Sequence, residues 1–201
     1  MFVPRRPADA FSYSYLLGMY LGDGHILPIG GTYQLRITLD ALYPGIIEDC
    51  CTYLRLSLPD ARPNARWDKV HRRAWVDSGS KWWPDLFPQA GPGRKHERVI
   101  ALEPWQQSVV DRFPWLFLRG LLHSDGCRSI NRFTTRLPSG RVAEYAYPRW
   151  FFSNLSADIR GLFCRTCDAM GVRWTQSNPR NISVSHRASV ALLDEFVGLK
   201  S

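Results

Sequence analysis

Two aspartates, Asp23 and Asp125, sit at the same place in two copies of one nine-residue pattern. "LLGMYLGDG" (16–24) and "LRGLLHSDG" (118–126) share their first residue, a glycine at the third position and a closing Asp-Gly. The two acids stand about half the chain apart. If the fold brings them together, they repel by roughly 4 kcal/mol at 4 Å and an effective dielectric of 20. A divalent cation relieves that repulsion, and Mg²⁺ favours carboxylates combined with waters and phosphate oxygens. Such ions also stabilise the attacking and leaving oxygens of a phosphodiester displacement. The alternative for either acid alone is a helix C-cap, since Asp-Gly is common at turns.

The glycines carry a second message. Gly18 and Gly22 lie four residues apart in an otherwise apolar helix, and an interior glycine costs roughly 1 kcal/mol of helix propensity. At that spacing they share one face and admit a second backbone at close range, the small-xxx-small arrangement. Their partners in the other copy are Gly120 and Ser124. This contact would join the two halves and set both helix ends side by side.

Each half also has a lysine beyond its last helix, Lys95 in "GPGRKH" and Lys200 in "VGLKS". Only four of the 26 basic residues are lysines, so the parallel placement is informative. A PD-(D/E)xK nuclease site is excluded, because Trp67, Gly79, Gly93 and Gly198 stand two before the four lysines. The five histidines form no pair at i+3 or i+4 spacing. Of the five cysteines, Cys164 and Cys167 make a lone CxxC with no second pair at zinc-ligand spacing. Reduced thiols on helix faces are expected.

The elements that must position these groups repeat as well. "TYQLRITLD" (32–40) alternates strictly, with Tyr33, Leu35, Ile37 and Leu39 on one side. A helix over 43–58 follows, with Pro44 in its first turn, then strands near 64–70 and 73–78 and a short helix near 80–87. The Gly/Pro-rich stretch 88–98 reads as a linker. In the second half a helix over 107–124 carries the motif. Strands near 127–137 and 141–153 follow, then a helix over 155–170 with Ser156 as N-cap and Gly171 as C-cap. A hairpin across Asn178-Pro179 and a helix over 187–197 complete it. The predicted organisation is an N-terminal half (1–88), a linker (89–106) and a C-terminal half (107–201), each αββαββα.

The formal charge of +8 and pI near 9.5 rest almost wholly on arginine, whose planar fork suits phosphate oxygens and guanine edges. Nucleic acid is the expected partner. No apolar run nears the ~20 residues of a bilayer span. The stretch after Arg5 and Arg6 is broken by Asp9, Ser12 and Ser14, so a signal peptide is not expected. A cytoplasmic, nucleoid-associated protein is the expectation.

With two motifs and this order of elements, residues 11–200 resemble the LAGLIDADG homing endonucleases in their single-chain, two-motif form. The resemblance implies an α+β fold of two pseudosymmetric halves whose antiparallel sheets form a DNA-binding saddle, the motif helices packed at the centre. It implies a monomer that cuts both strands of double-stranded DNA at a long asymmetric site, using Mg²⁺ with Mn²⁺ able to substitute. Asp23 and Asp125 would bind the metals together with the carbonyls of Gly22 and Ser124, and Lys95 and Lys200 would stand near the scissile phosphates. The candidate DNA contacts are Gln34, Arg36 and Thr38; Asn131, Arg132 and Arg136; Arg173 and Thr175; and Asn181 and Ser183. The family has an acid at the sixth motif position, where this chain has Leu21 and His123; those positions belong to the interface. Inteins share the motif, but no splicing domain or terminal His-Asn is present here. Two rivals stay open: a DNA-binding transcription regulator that kept this fold without cutting, and an RNA maturase.

Overall fold

The first motif forms the second half of α1 (Ala10–Asp23), which starts where the Asp9 side chain accepts from the Ser12 amide at 3.0 Å. Every residue from Ser12 to Leu21 is buried, as suits a helix that is apolar on all sides. In this computed structural model, which describes residues 4–68 and 70–201, α1 runs through the middle of the molecule.

At Gly24 the backbone turns extended and continues directly into β1 (Gly24–Ile29). Gly30 and Gly31, both at positive φ (52° and 85°), make a two-residue turn into β2 (Thr32–Asp40). Then come α2 (Pro44–Ser57), β3 (Asn64–Asp68), β4 (Arg73–Gly79) and α3 (Trp83–Leu86). A single 3₁₀ turn at Lys95–Glu97 leads to α4 (Pro104–Arg112) and α5 (Pro114–Asp125), the second motif helix. The second half continues with β5 (Gly126–Arg136), β6 (Val142–Ser153), α6 (Ala157–Ala169), β7 (Thr175–Asn178), β8 (Asn181–Val184) and α7 (Arg187–Phe196). The strands form two antiparallel sheets of the same order, β1-β2-β4-β3 and β5-β6-β8-β7. The expected α+β architecture of two like halves is the one observed.

Three local differences have physical causes. β1 was not among the expected strands, because Pro28 and the motif's own glycine disguise a short strand that pairs on one edge only. The expected helix over 107–124 is two helices that meet at Phe113, whose backbone is not helical. Pro114 opens the second of them and disfavours helical geometry in the residue before it. The strand expected over 64–70 ends at Asp68, and position 69 lies outside the described residues. Ser156 does cap α6, accepting from the Ile159 amide at 3.4 Å, and Gly171 follows the helix in the left-handed region (φ 68°). Among the described residues, no helix is long and apolar enough to cross a membrane.

Candidate functional site

The seam between the halves is α1 against α5, and small residues make it possible. A Cβ built on Gly18 would lie 2.5 Å from the Phe117 carbonyl and 2.7 Å from the Leu121 amide. One on Gly120 would lie 3.0 Å from the Gly18 Cα and run into the Tyr15 carbonyl. Gly22 abuts the Ser124 side chain, and its missing Cβ would stand 3.0 Å from Asp125 Oδ2. Polar bonds cross the same seam. Ser14 Oγ donates to the Phe113 carbonyl at 2.9 Å, and the Tyr15 hydroxyl pairs with His123 Nδ1 at 2.9 Å. His123 and Leu21, the sixth motif residues, are both buried in this interface. Burial holds the His123 imidazole down to about 3, so it stays neutral.

This packing delivers both helix C-termini, and with them Asp23 and Asp125, to one place. Burial, followed by the charge of Asp125, pushes Asp23 up to about 7. Burial also raises Asp125, opposed first by a hydrogen bond from Asn154 Nδ2 to its Oδ2 at 2.6 Å. Asn154 is held in turn, its Oδ1 accepting from the Ser156 amide at 2.7 Å. Nothing in the linear pattern marked Asn154, because the first half has no matching asparagine after β2.

The two lysines arrive from different parts of the chain and do the same thing. Lys95 Nζ donates to the carbonyls of Leu21 (2.9 Å) and Gly22 (3.1 Å), and also to that of Tyr20. Lys200 Nζ donates to the Ser124 carbonyl at 3.2 Å. Burial lowers both ammoniums, Lys95 to about 8, while the two aspartates pull the other way. Asp23 lines two cavities. One, of about 960 Å³, is lined by Asp23, Asp125, His25, Lys95, Arg98 and Asn154. The other, of about 750 Å³, is lined by Asp23, Ser124, Asp40, Arg73 and Lys200.

The donor chemistry fits a hard divalent ion. Two carboxylates offer oxygen ligands at the negative pole of each helix dipole, and the Gly22 and Ser124 carbonyls, which accept from Lys95 and Lys200, keep a second lone pair for an ion. Among the described residues no group of three or more His, Cys, Asp or Glu side chains could hold a metal. An ion here would therefore complete its shell with carbonyl, water and phosphate oxygens, which suits Mg²⁺ or Mn²⁺ and not a closed zinc site. The five cysteines are free; Cys50, Cys164 and Cys167 are buried, and burial raises their thiols.

The sheet faces turned away from the helices carry most of the remaining candidates. In β2 the core takes Leu35, Ile37 and Leu39, leaving Gln34, Arg36 and Thr38 on the open face. Arg36 is not free there: Asp77, directly opposite on β4, accepts from its Nε at 2.6 Å and its Nη2 at 3.2 Å, and binds Arg66 as well. On β5 the even-numbered residues share the core side, where Arg128 pairs with Asp194 at 2.7 Å. Asn131 thus lies on the open face, whereas Arg132 and Arg136 lie on the opposite one, exposed because the strand runs past the helices. The pleat therefore divides these three candidates between two faces. Thr175 is exposed on β7, Asn181 is half-buried on β8, and Arg173 precedes β7 in an exposed loop. Ser183 points to the open side but is only 1% exposed, so it is covered and offers no surface.

No protein-family model matches the chain, and no curated protein matches it in sequence. Solved structures do match in shape. The LAGLIDADG meganuclease I-AabMI bound to uncleaved DNA aligns with a TM-score of 0.58 at 11% identity, over 96% of this chain and 85% of that one. I-DmoI in complex with DNA and Mn aligns at 0.59 and 14% identity, over 94% of this chain and 98% of that one. Full-length DUF199/WhiA from Thermatoga maritima aligns at 0.59 and 14% identity, over 98% of this chain and 58% of that longer one. The chain has the two-halved fold of the LAGLIDADG homing endonucleases.

Proposed function

We propose that this chain is a site-specific DNA endonuclease of the LAGLIDADG type, acting as a monomer on both strands of a long asymmetric duplex site. The observation that carries this reading is the pair Asp23 and Asp125, set together at the ends of two tightly packed helices with a lysine beside each. Asp23, Asp125 and the carbonyls of Gly22 and Ser124 would hold Mg²⁺, with Mn²⁺ substituting. Bound there, divalent ions supply activation of water and neutralisation of charge on the scissile phosphates. Asn154 fixes the orientation of Asp125 through its 2.6 Å hydrogen bond. Lys95, at about 8, keeps its proton at neutral pH and supplies positive charge beside the phosphates, as Lys200 does for the other strand.

The net charge of +8 favours a polyanion as partner. Gln34, Arg36 and Thr38 in one half, and Asn131, Thr175 and Asn181 in the other, would meet base edges in the major groove, a reading supported by their position on the open sheet faces. Arg132 and Arg136, exposed but off that face, and Arg173, exposed just before β7, suit backbone phosphates, which position a protein without reading sequence. The site is asymmetric because the two faces differ residue by residue. The likeness to WhiA, as close as that to I-DmoI, favours a second reading, a DNA-binding regulator that does not cut. Incubation with a library of candidate duplexes in Mg²⁺, then in EDTA, separates the two. An endonuclease yields new ends only in Mg²⁺; a regulator yields shifted bands in both.

A further inference from the structure

Lys95 and Lys200 take like places at the two motif helices but are held very differently. Lys200 Nζ makes a single carbonyl contact, at 3.2 Å, whereas Lys95 Nζ donates to the carbonyls of Tyr20, Leu21 and Gly22. The Lys95 ammonium also lies 4.9 Å from the centre of the Tyr20 ring, which stacks on Phe87 at 4.3 Å. Yet the chain that brings Lys95 there has little stiffness of its own. Gly91, Pro92, Gly93 and Arg94 before it are all exposed, and Gly93 is at positive φ (77°). The lysine stem itself is flexible.

The loop is fastened at its base. Buried Gln89 donates from Nε2 to the Ala101 carbonyl at 2.8 Å and to Gln106 Oε1 at 2.6 Å. The Ile100 amide donates to Asp158 Oδ2, in the first turn of α6, at 2.8 Å. Between this base and the Lys95 turn stands Arg98. Its Nη1 donates to the Gln89 carbonyl at 2.5 Å, and a Cβ on Gly91 would lie 3.2 Å from that nitrogen, so a glycine lets the guanidinium lie against the backbone. The same guanidinium faces the Tyr20 hydroxyl: burial raises that phenol, and the charge and hydrogen bond of Arg98 oppose the rise. One rigid fork thus ties the loop to the ring beside which the Lys95 ammonium lies, a task suited to donors in fixed directions. The two cations repel, but burial and the two aspartates weigh more on Lys95 than the Arg98 charge does. We infer, on the endonuclease reading above, that Arg98 is the positioning residue of Lys95, closing the loop 89–101 and fixing Tyr20 so that the ammonium stays on the Gly22 carbonyl beside the paired aspartates.

A double-variant cycle tests this. In single-turnover cutting with Mg²⁺, Arg98→Met should be slowed about tenfold or more, as far as Lys95→Met, because a misplacement of about 1 Å is enough for such a loss. The chain carrying both changes should be no slower than Lys95→Met alone, since residues that act through one another are not additive. Arg98→Lys, which keeps a donor able to reach the Gln89 carbonyl, should recover most of the rate. A second readout needs neither DNA nor metal. In the ¹H–¹⁵N spectrum of the lysine ammonium groups, Lys95 should give a slowly exchanging signal, identified by its loss in Lys95→Met. That signal should vanish in Arg98→Met and return in Arg98→Lys. Cutting by Arg98→Met at the wild-type rate overturns the inference. So do losses that multiply in the double variant, which would give Arg98 its own contact with the phosphates. A Lys95 signal absent from wild type, or unchanged in Arg98→Met, overturns it too. A wild type that never cuts ends the endonuclease reading instead, and the ammonium spectrum still decides whether Arg98 places Lys95.

Discussion

Lys95 places its ammonium 3.1 Å from the Gly22 carbonyl oxygen, and Lys200 repeats the contact at 3.2 Å on Ser124, the same position of the second motif. The last carbonyls of a helix have no partner within it and carry the negative end of its dipole. A lysine supplied from outside each helix answers both needs, and it holds the ammonium next to the paired carboxylates. Lys95→Met keeps the apolar stem and removes the charge. Its stability should change by no more than about 1–2 kcal/mol, because the lost hydrogen bonds to carbonyls oppose the relieved cost of burying the charge, and Lys95→Met and Lys200→Met should each slow cleavage by at least about tenfold. Urea unfolding and single-turnover cutting measure the two effects, and unchanged cutting by both variants would remove the lysines from the mechanism.

The carboxylate pair should also be visible in stability against pH. Asp23 titrates at about 7 in the fold against 3.8 for a free aspartate, so the folded chain holds this proton more tightly than the unfolded chain. The resulting cost is absent below pH 3.8, grows between the two values and is complete above pH 7. Lys95, lowered from 10.5 to about 8, adds a cost that is complete below pH 8 and is relieved as the pH rises toward 10.5. In EDTA at pH 8, Asp23→Asn should therefore be more stable than wild type by about 1–2 kcal/mol. The advantage should vanish near pH 4. Mg²⁺ should reverse the order by stabilising only the wild type, by about 2.7 kcal/mol at a hundredfold excess over Kd. Melting curves at the two pH values decide this, and identical curves for both proteins would show that the acids are not strained together.

A methyl group at the seam is a sharper test of packing. In Gly18→Ala the new carbon would lie 2.5 Å from one α5 backbone atom and 2.7 Å from another, neither of which can rotate away. The halves must separate, at a cost of about 3 kcal/mol. Gly22→Leu should lose both stability and cleavage, since its side chain would enter the space of Ser124 and Asp125. Ser124→Ala is the control: its Oγ donates only within α5, to Gly120 (3.1 Å) and Leu121 (2.9 Å). That variant should stay within about 1 kcal/mol of wild type. Denaturant midpoints report all three.

Arg36 and its inward neighbour separate reading from folding. Arg36→Ala should relax specificity at one or two base pairs and weaken binding by about 1–3 kcal/mol. It also leaves Asp77, only 6% exposed, with Arg66 as its remaining charged partner, so a modest loss of stability should accompany it. Leu35→Ala, one residue away and fully buried, should cost about 2–5 kcal/mol of stability without altering the site profile. Site selection from a randomised duplex library checks both, and an unchanged profile for Arg36→Ala would end its assignment as a reader.

Much of this was legible in the chain because the motif occurs twice. One xxGxxxxDG would be a turn; two, each followed by strands and helices in the same order, fix which helices must touch and which acids must meet. The strict alternation of Thr32–Asp40 located its open face, since a half-buried strand leaves a period of two. β5 could not be read that way. "CRSINRFTTR" runs beyond the helices, both of its faces meet water, and no burial constraint disciplines the pattern, so the sequence could not show that Arg132 and Arg136 lie opposite Asn131. Ser183 had the right parity but is covered, a fact that depends on neighbours remote in sequence. Asn154 and Asp77 were silent for the same reason, as each matters through a partner far along the chain: Asp125 for one, Arg36 for the other.

Cutting by single-aspartate variants tests the central claim most directly. Asp23→Asn and Asp125→Asn keep the side-chain shape and remove one metal-binding charge each. Wild type and both variants are to be compared on one labelled duplex site, by cleavage in Mg²⁺ and by gel shift in Ca²⁺. The account predicts that wild type cuts both strands in Mg²⁺, that cutting collapses in either variant, and that binding persists in all three, because contacts to bases and phosphates supply most of it. Full cleavage by either variant, or a wild type that shifts the duplex without ever cutting it, would contradict the account.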